Sequence, residues 1–207
     1  MNMSQQRLHW EERYQQGNTP WDTRITPPEV VQFWAKYPMP ANGVAVDLGC
    51  GAGTNAGYIA QQGYFVIGCD LAGNALQLGK ERLQRDQTTL LPRIQFLQVD
   101  VTRLPLQNTK ANYILDIGCF HGLPFADRPG YVQGVLDNLA PGGYYQLFAF
   151  DLLPESEWTP DKPPRGVAED EVQTRFAPHL HVVEVIRGRP DRQACRWYLL
   201  QAREPRM

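Results

Sequence analysis

The chain has 207 residues, 43% of them hydrophobic and 20% charged. That is enough for one ordinary domain with a sizeable core, and too apolar for a disordered segment. The formal net charge is −2 with no long basic run, which argues against broad contact with nucleic acid, because a phosphate track needs clustered Lys and Arg.

The segment Met1–Tyr14 is polar and charged, without the apolar core of a signal peptide. No apolar stretch approaches the length of a membrane span. Cys50, Cys69, Cys119 and Cys195 contain no C-x-x-C pair, so neither a metal site nor a redox motif is expected. The expectation is a cytoplasmic protein with free thiols, no membrane partner and no metal.

In chain order, Ser4 to Gln16 reads as an amphipathic helix carrying Leu8, Trp10, Arg13 and Tyr14, stopped by Gly17-Asn18. A rigid loop, Thr19-Pro20-Trp21-Asp22, follows. Pro27-Pro28 opens a second helix to about Tyr37, with Val30, Val31, Phe33 and Trp34 as its apolar side. Strands and helices then alternate: strand Gly43–Leu48, helix Thr54–Gln62, strand Phe65–Asp70, helix Asn74–Arg85 and strand Ile94–Val99. A short loop-helix near Arg103–Leu106 leads to strand Tyr113–Gly118 and helix Arg128–Leu139. Pro141-Gly142-Gly143 turns into strand Tyr144–Phe150. Leu152 to Gly166 is rich in proline and acid and reads as an irregular surface loop, and the acidic-aromatic cluster Asp151 to Trp158 is a candidate substrate border. A short helix Glu169–Phe176 and a hairpin, His179–Arg187 and Ala194–Arg203 around Gly188–Gln193, close the chain. Such alternation predicts an α/β fold, a parallel sheet covered by helices on both faces. No repeat or linker interrupts it, so a single domain over 1–207 is expected.

The chemistry concentrates where apolar runs end in acids. Val44–Leu48 contains Asp47 and runs into the turn Gly49-x-Gly51-x-Gly53; Val66–Cys69 ends in Asp70. Glycines let the backbone turn tightly and approach a ligand closely. An acid about 20 residues past the first glycine is where a nucleotide fold accepts ribose hydroxyls. The dinucleotide fingerprint is G-x-G-x-x-G, and this spacing differs from it. A pyrophosphate repels a neighbouring acid, whereas an ammonium attracts it.

Hydrophobic–acid–hydrophobic–G-x-G-x-G resembles motif I of class I S-adenosylmethionine-dependent methyltransferases. The resemblance covers nearly the whole chain, with specific motifs in 43–121, and implies a Rossmann-like, seven-stranded, mainly parallel sheet with a C-terminal antiparallel hairpin. It implies S-adenosylmethionine as cofactor. Asp47 and Gly49, Gly51 and Gly53 would hold the amino-acid end, and Asp70 the ribose. Leu71 would pack on the adenine face, while Asp100 and Val101 would contact the adenine edge. Asp116-Ile117-Gly118-Cys119-Phe120-His121 would face the transferable methyl, with Cys119 as a wall residue and His121 as a candidate general base. This stretch lacks the Asn/Asp-Pro-Pro-Tyr motif of amino-methyltransferases.

Trp10, Tyr14 and Gly17-Asn-Thr-Pro-Trp-Asp22 resemble the start of small-molecule methyltransferases of the thiopurine S-methyltransferase and tellurite-resistance type. In that type residues 1–37 would form a helical lid, with Trp21 against the cofactor; aromatic walls exclude water and stabilise a sulfonium. The implied acceptor is a small molecule, a thiol or chalcogen oxyanion. Two alternatives stand beside this reading: an NAD-linked oxidoreductase, and a non-catalytic S-adenosylmethionine-binding module. Oligomeric state is not legible.

Overall fold

The computed structural model describes residues 3–106, 109–157, 165–188 and 193–204. Seven strands lie in one sheet in the order β3-β2-β1-β4-β5-β7-β6, mainly parallel and finished by antiparallel strands. The chain forms two compact units, 1–101 and 102–207.

In the first unit β1 (Val44–Leu48), β2 (Phe65–Asp70) and β3 (Ile94–Gln98) pair in parallel. Ala45, Val46 and Leu48 of β1 and Val66 and Cys69 of β2 are fully buried, as expected for strands covered on both faces. Helix α3 (Thr54–Gln61) follows β1 and α4 (Gly73–Asp86) follows β2. Ala56, Ile59, Ala75 and Leu76 are buried in these helices. Helix α2 (Pro28–Lys36) starts on a proline at its first turn, where the missing N–H has no helical partner anyway. It buries Val30 and Phe33 but leaves Val31 exposed. Val31 lies off the stripe that Val30, Phe33 and Trp34 share at i, i+3 and i+4.

Helix α1 (Met3–Gln15) corrects the amphipathic expectation, because none of its residues is buried and Leu8 is 56% exposed. What holds it is polar and is described below. The segment Thr88–Arg93 forms a 3-10 turn that the sequence reading did not foresee. The helical turn expected at Arg103–Leu106 instead spans Val101–Arg103.

In the second unit β4 (Ala111–Ile117) pairs in parallel with β5 (Leu139–Phe150), β5 pairs antiparallel with β7 (Cys195–Ala202), and β7 pairs antiparallel with β6 (Leu180–Arg187). Pro141-Gly142-Gly143 does not end the chain's extended path before β5. The pairing jumps from Ala111 opposite Leu139 to Tyr113 opposite Tyr144, so the prolyl-glycyl segment is taken up as a register shift. Helix α5 (Arg128–Asn138) and the short α6 (Glu171–Phe176) cover this part. Tyr113, Ile114, Leu115, Phe120, Tyr131, Tyr145 and Phe176 form its core, all fully buried. The expected hairpin turn 188–193 and the stretch Asp151 to Trp158 fall partly outside the described residues, as does 152–166. Among the described residues no helix is long and apolar enough to cross a membrane.

Candidate active site

The first unit assembles the predicted acids and glycines around one turn. Leaving β1, the N–H groups of Gly49 and Cys50 both donate to the Cys69 carbonyl, at 2.8 and 3.0 Å. The Gly53 N–H donates to the Cys50 carbonyl at 2.9 Å, closing the turn onto α3. Gly51 and Gly53 have φ of 54° and 74°, the left-handed region that costs a residue with a Cβ roughly 1–2 kcal/mol. Space is as tight as conformation. A Cβ on Gly51 would fall 2.5 Å from Tyr14 Oη, and one on Gly53 would fall 2.6 Å from Phe96 Cζ.

Asp70 ends β2 and ties this turn to the next helix. Its Oδ2 accepts the Gly51 N–H and its Oδ1 accepts the Ala72 N–H, both at 2.8 Å. The carboxylate thus caps the chain entering α4 and also anchors the glycine turn. A carboxylate has about four lone-pair sites, so acceptor capacity remains for a ligand hydroxyl. Burial raises the Asp70 pKa; the amides of Ala72 and Gly51 oppose that rise, and the Glu11 charge adds to it. Asp47, on β1, is 2% exposed. Burial pushes the Cys69 thiol up to about 12 and Cys50 well above its ordinary value, with Asp47 and Asp70 adding to both shifts. Neither thiol is a thiolate at neutral pH. Leu71 is half-buried, with its carbonyl accepting from Gln98 Nε2 at 3.1 Å. Asp100 is half-buried and Val101 is buried, where β3 gives way to the 3-10 turn.

The N-terminal segment lies over the turn. Trp21 Nε1 donates to Tyr14 Oη at 3.1 Å, and Trp21 meets Trp10 edge-on at 5.3 Å between centroids. The Arg13 guanidinium sits 4.7 Å above the Trp21 ring. Burial also raises the Tyr14 pKa. Asp22 pairs with Arg82 of α4 at 2.7 Å, with side chains only 8% and 20% exposed.

Sequence reasoning missed Glu11. Its Oε1 accepts the Gly73 N–H and its Oε2 the Asn74 N–H, both at 2.8 Å. Only the structure puts Ala72 at the N-cap of α4, a residue without a side-chain acceptor, which leaves the first amides of the helix to another group.

The other candidates lie in the second unit. Asp116, at the end of β4, is fully buried. It accepts the Cys119 and Phe120 N–H groups at 2.8 and 2.9 Å and the Tyr131 hydroxyl at 2.5 Å. Burial outweighs these three donors and holds its pKa near 6. These bonds fold the turn that carries half-buried Cys119 and His121. His121 Nδ1 accepts the Phe150 N–H at 3.3 Å. Burial, with Arg128 and Arg165 nearby, lowers its pKa to about 4. The ring is therefore neutral at pH 7 with its proton on Nε2. Its centroid lies 5.0 Å from that of Phe150 and 6.4 Å from that of Phe148.

Arg128 holds this turn from behind. It is fully buried, pairs with Glu171 at 2.6 Å, and donates to the carbonyls of Leu123, His121 and Gly166. No feature of the sequence around Arg128 announces this role, because its partners lie 5, 7, 38 and 43 positions away.

The residues of the first unit fit S-adenosylmethionine. Asp70 offers acceptors to a diol, and Asp47 offers a buried carboxyl group to an ammonium. Asp47 and Asp70 place two acids at the glycine turn, which favours an ammonium there over a pyrophosphate. Among the described residues no group of three or more His, Cys, Asp or Glu could hold a metal ion.

The chain is 28% identical over 155 residues to the 2-heptyl-1-hydroxyquinolin-4(1H)-one methyltransferase of Mycobacteroides abscessus, a match covering 74% of this chain and 65% of that protein. It is 27% identical over 189 residues to the thiopurine S-methyltransferase of Bordetella petrii, covering 86% and 84%. Thus the chain spans just under two thirds of the mycobacterial relative and most of the Bordetella one. Its fold matches that of Burkholderia thailandensis 1,6-didemethyltoxoflavin-N1-methyltransferase, solved with 1,6-didemethyltoxoflavin and S-adenosylhomocysteine. There the TM-score is 0.77 at 20% identity, over 96% of this chain and 87% of that one. The thiopurine S-methyltransferase family model matches residues 5–195, and with nearly the whole chain matched, the chain belongs to the thiopurine S-methyltransferase family.

Proposed function

We propose that this protein is an S-adenosylmethionine-dependent methyltransferase acting on a small-molecule acceptor, with a thiol or chalcogen oxyanion as the favoured acceptor. The observation that carries the reading is Asp70, whose carboxylate is anchored by Gly51 and Ala72 at the edge of a glycine turn with no basic side chain. Neither the oxidoreductase nor the binding-module alternative finds support in the family or the relatives.

Asp70 accepts the ribose hydroxyls, and Asp47 with the Gly49–Gly53 turn takes the amino-acid end. Leu71 covers one adenine face while Asp100 and the Val101 N–H meet its edge. Tyr14 stands over the turn and Trp21, 43% exposed, bonds to it; residues 1–37 serve as lid of a single catalytic domain, and closure of this pair on the bound cofactor excludes water. When bound, the cofactor supplies an electrophilic methyl on a sulfonium. The protein then contributes positioning and desolvation.

Cys119 is a small wall residue of the acceptor side. His121 is a neutral donor through Nε2, because Nδ1 is taken by the Phe150 amide and the ring resists protonation. Such a donor orients an anionic acceptor rather than removing its proton, so acceptors that ionise by themselves near neutral pH are favoured. A cytoplasmic location fits the free thiols, and a net charge of −2 fits a small-molecule substrate better than nucleic acid.

Two measurements test this. Thermal unfolding with S-adenosylhomocysteine at about 100 times its dissociation constant should gain roughly 2.7 kcal/mol, a midpoint rise of about 5–11 °C, with no rise for NAD. A rise with NAD alone overturns the cofactor. Transfer of labelled methyl to a panel of thiols, selenite and tellurite tests the acceptor; no turnover on any member removes that acceptor class.

A further inference from the structure

Helix α1 buries no residue, yet it is docked. Glu11 attaches it to α4, its two oxygens taking the Gly73 and Asn74 amides. Asn74 Nδ2 returns a bond to the Glu11 carbonyl at 3.2 Å, and Gln98 Nε2 donates to Glu11 Oε1 at 3.2 Å. Asp70 takes the amide just before these, that of Ala72, and also that of Gly51. One turn further along α1 Tyr14 stands over Gly51. A single carboxylate therefore joins the start of α4, the loop carrying Asp70 and the segment that covers the glycine turn.

We infer that Glu11 is a positioning residue for cofactor binding: it docks α1 on the amides at the start of α4, and so holds Tyr14 and the Asp70 loop in their binding arrangement. The inference rests on the reading of Asp70 as the ribose acceptor. The physics is population shift. With the cap, α1 spends most of its time docked. Without it the docked fraction falls, and apparent affinity falls by the same fraction. A helix held by an apolar stripe would not show this, because its docking would survive loss of one carboxylate.

The experiment is isothermal titration of the full chain with S-adenosylhomocysteine, paired with trypsin cleavage at Arg13. Glu11→Ala should raise Kd about tenfold at unchanged stoichiometry and speed cleavage at Arg13 without ligand. A purely structural role would instead lower stoichiometry and leave Kd alone, and that result overturns the inference. Wild-type Kd with wild-type cleavage also overturns it. If Glu11→Ala does not fold, Glu11→Gln decides, since it keeps the size and one acceptor oxygen. About threefold weaker binding with faster cleavage supports the role, and wild-type values reject it. Asp70→Ala separates the two ideas. Wild-type affinity in that variant defeats the ribose reading, whereas lost affinity there beside wild-type behaviour in the Glu11 variants defeats the positioning role alone.

Discussion

The ring of Phe96 occupies the space that a side chain on Gly53 would need: a Cβ built there lies 2.6 Å from Phe96 Cζ. The same ring closes on two other glycines, with the corresponding distances 2.9 Å at Gly68 and 3.0 Å at Gly79. One aromatic side chain on β3 thus meets the glycine turn, β2 and α4.

Gly53→Ala should therefore cost about 2–4 kcal/mol, from the left-handed φ together with overpacking against the ring. Phe96→Leu in the same chain should recover the overpacking part and leave the backbone part, giving a coupling of about 1 kcal/mol or more. A urea double-mutant cycle checks this. Strict additivity would show that Phe96 does not set the space at Gly53.

Arg128, in the second unit, is fully buried and balanced by Glu171. Arg128→Ala strands a half-buried carboxylate and frees three backbone carbonyls, so it should cost about 3–5 kcal/mol. Arg175, 2.7 Å from Glu171, offers partial compensation and keeps the loss inside that range. Denaturant midpoints read the cost; a loss under about 1 kcal/mol would show that Arg128 does not hold the turn around His121.

Asp116 and His121 make opposing contributions to stability against pH. Burial raises Asp116 to about 6 in the folded protein. Between its unfolded value near 4 and that figure the folded state holds the extra proton, so its contribution is lost as pH rises. Burial lowers His121 to about 4. Between that figure and its unfolded value near 6.5 the unfolded state holds the extra proton, so stability from His121 grows as pH rises. The two slopes oppose each other between about pH 4 and 6. Asp116→Asn should make the slope of stability with pH more positive in that window, and His121→Gln more negative. Urea unfolding at pH 4, 5 and 6 measures both slopes, and unchanged slopes in both variants would remove the assignment.

Much of the fold was legible because its signals are local. Strand β2 begins and ends where the apolar run Phe65–Asp70 does, and β1, α3 and α5 match their expected spans to within a residue or so at their ends. An apolar run closed by glycines has few other ways to satisfy its backbone. Helix α1 was legible as a helix but not in how it docks. Its large side chains suggested an apolar face, whereas it is held by Glu11 on amides 62 and 63 residues away. The Pro141-Gly142-Gly143 signal was read as a turn, and pairing with β4 absorbed it as a shift of register.

The sequence by itself determined the alternation of strands and helices, the place of the glycine turn, and the acids Asp47 and Asp70 that flank it. All of these depend on neighbours along the chain. Only the tertiary structure decided that Asp70 serves the turn and the next helix at once, that Glu11 completes the cap, that Arg128 is buried behind the His121 turn, and that the His121 ring is neutral with Nδ1 engaged. Those outcomes depend on which groups lose water together and which donors then face which acceptors, and residues far apart in the chain settle that only when they meet.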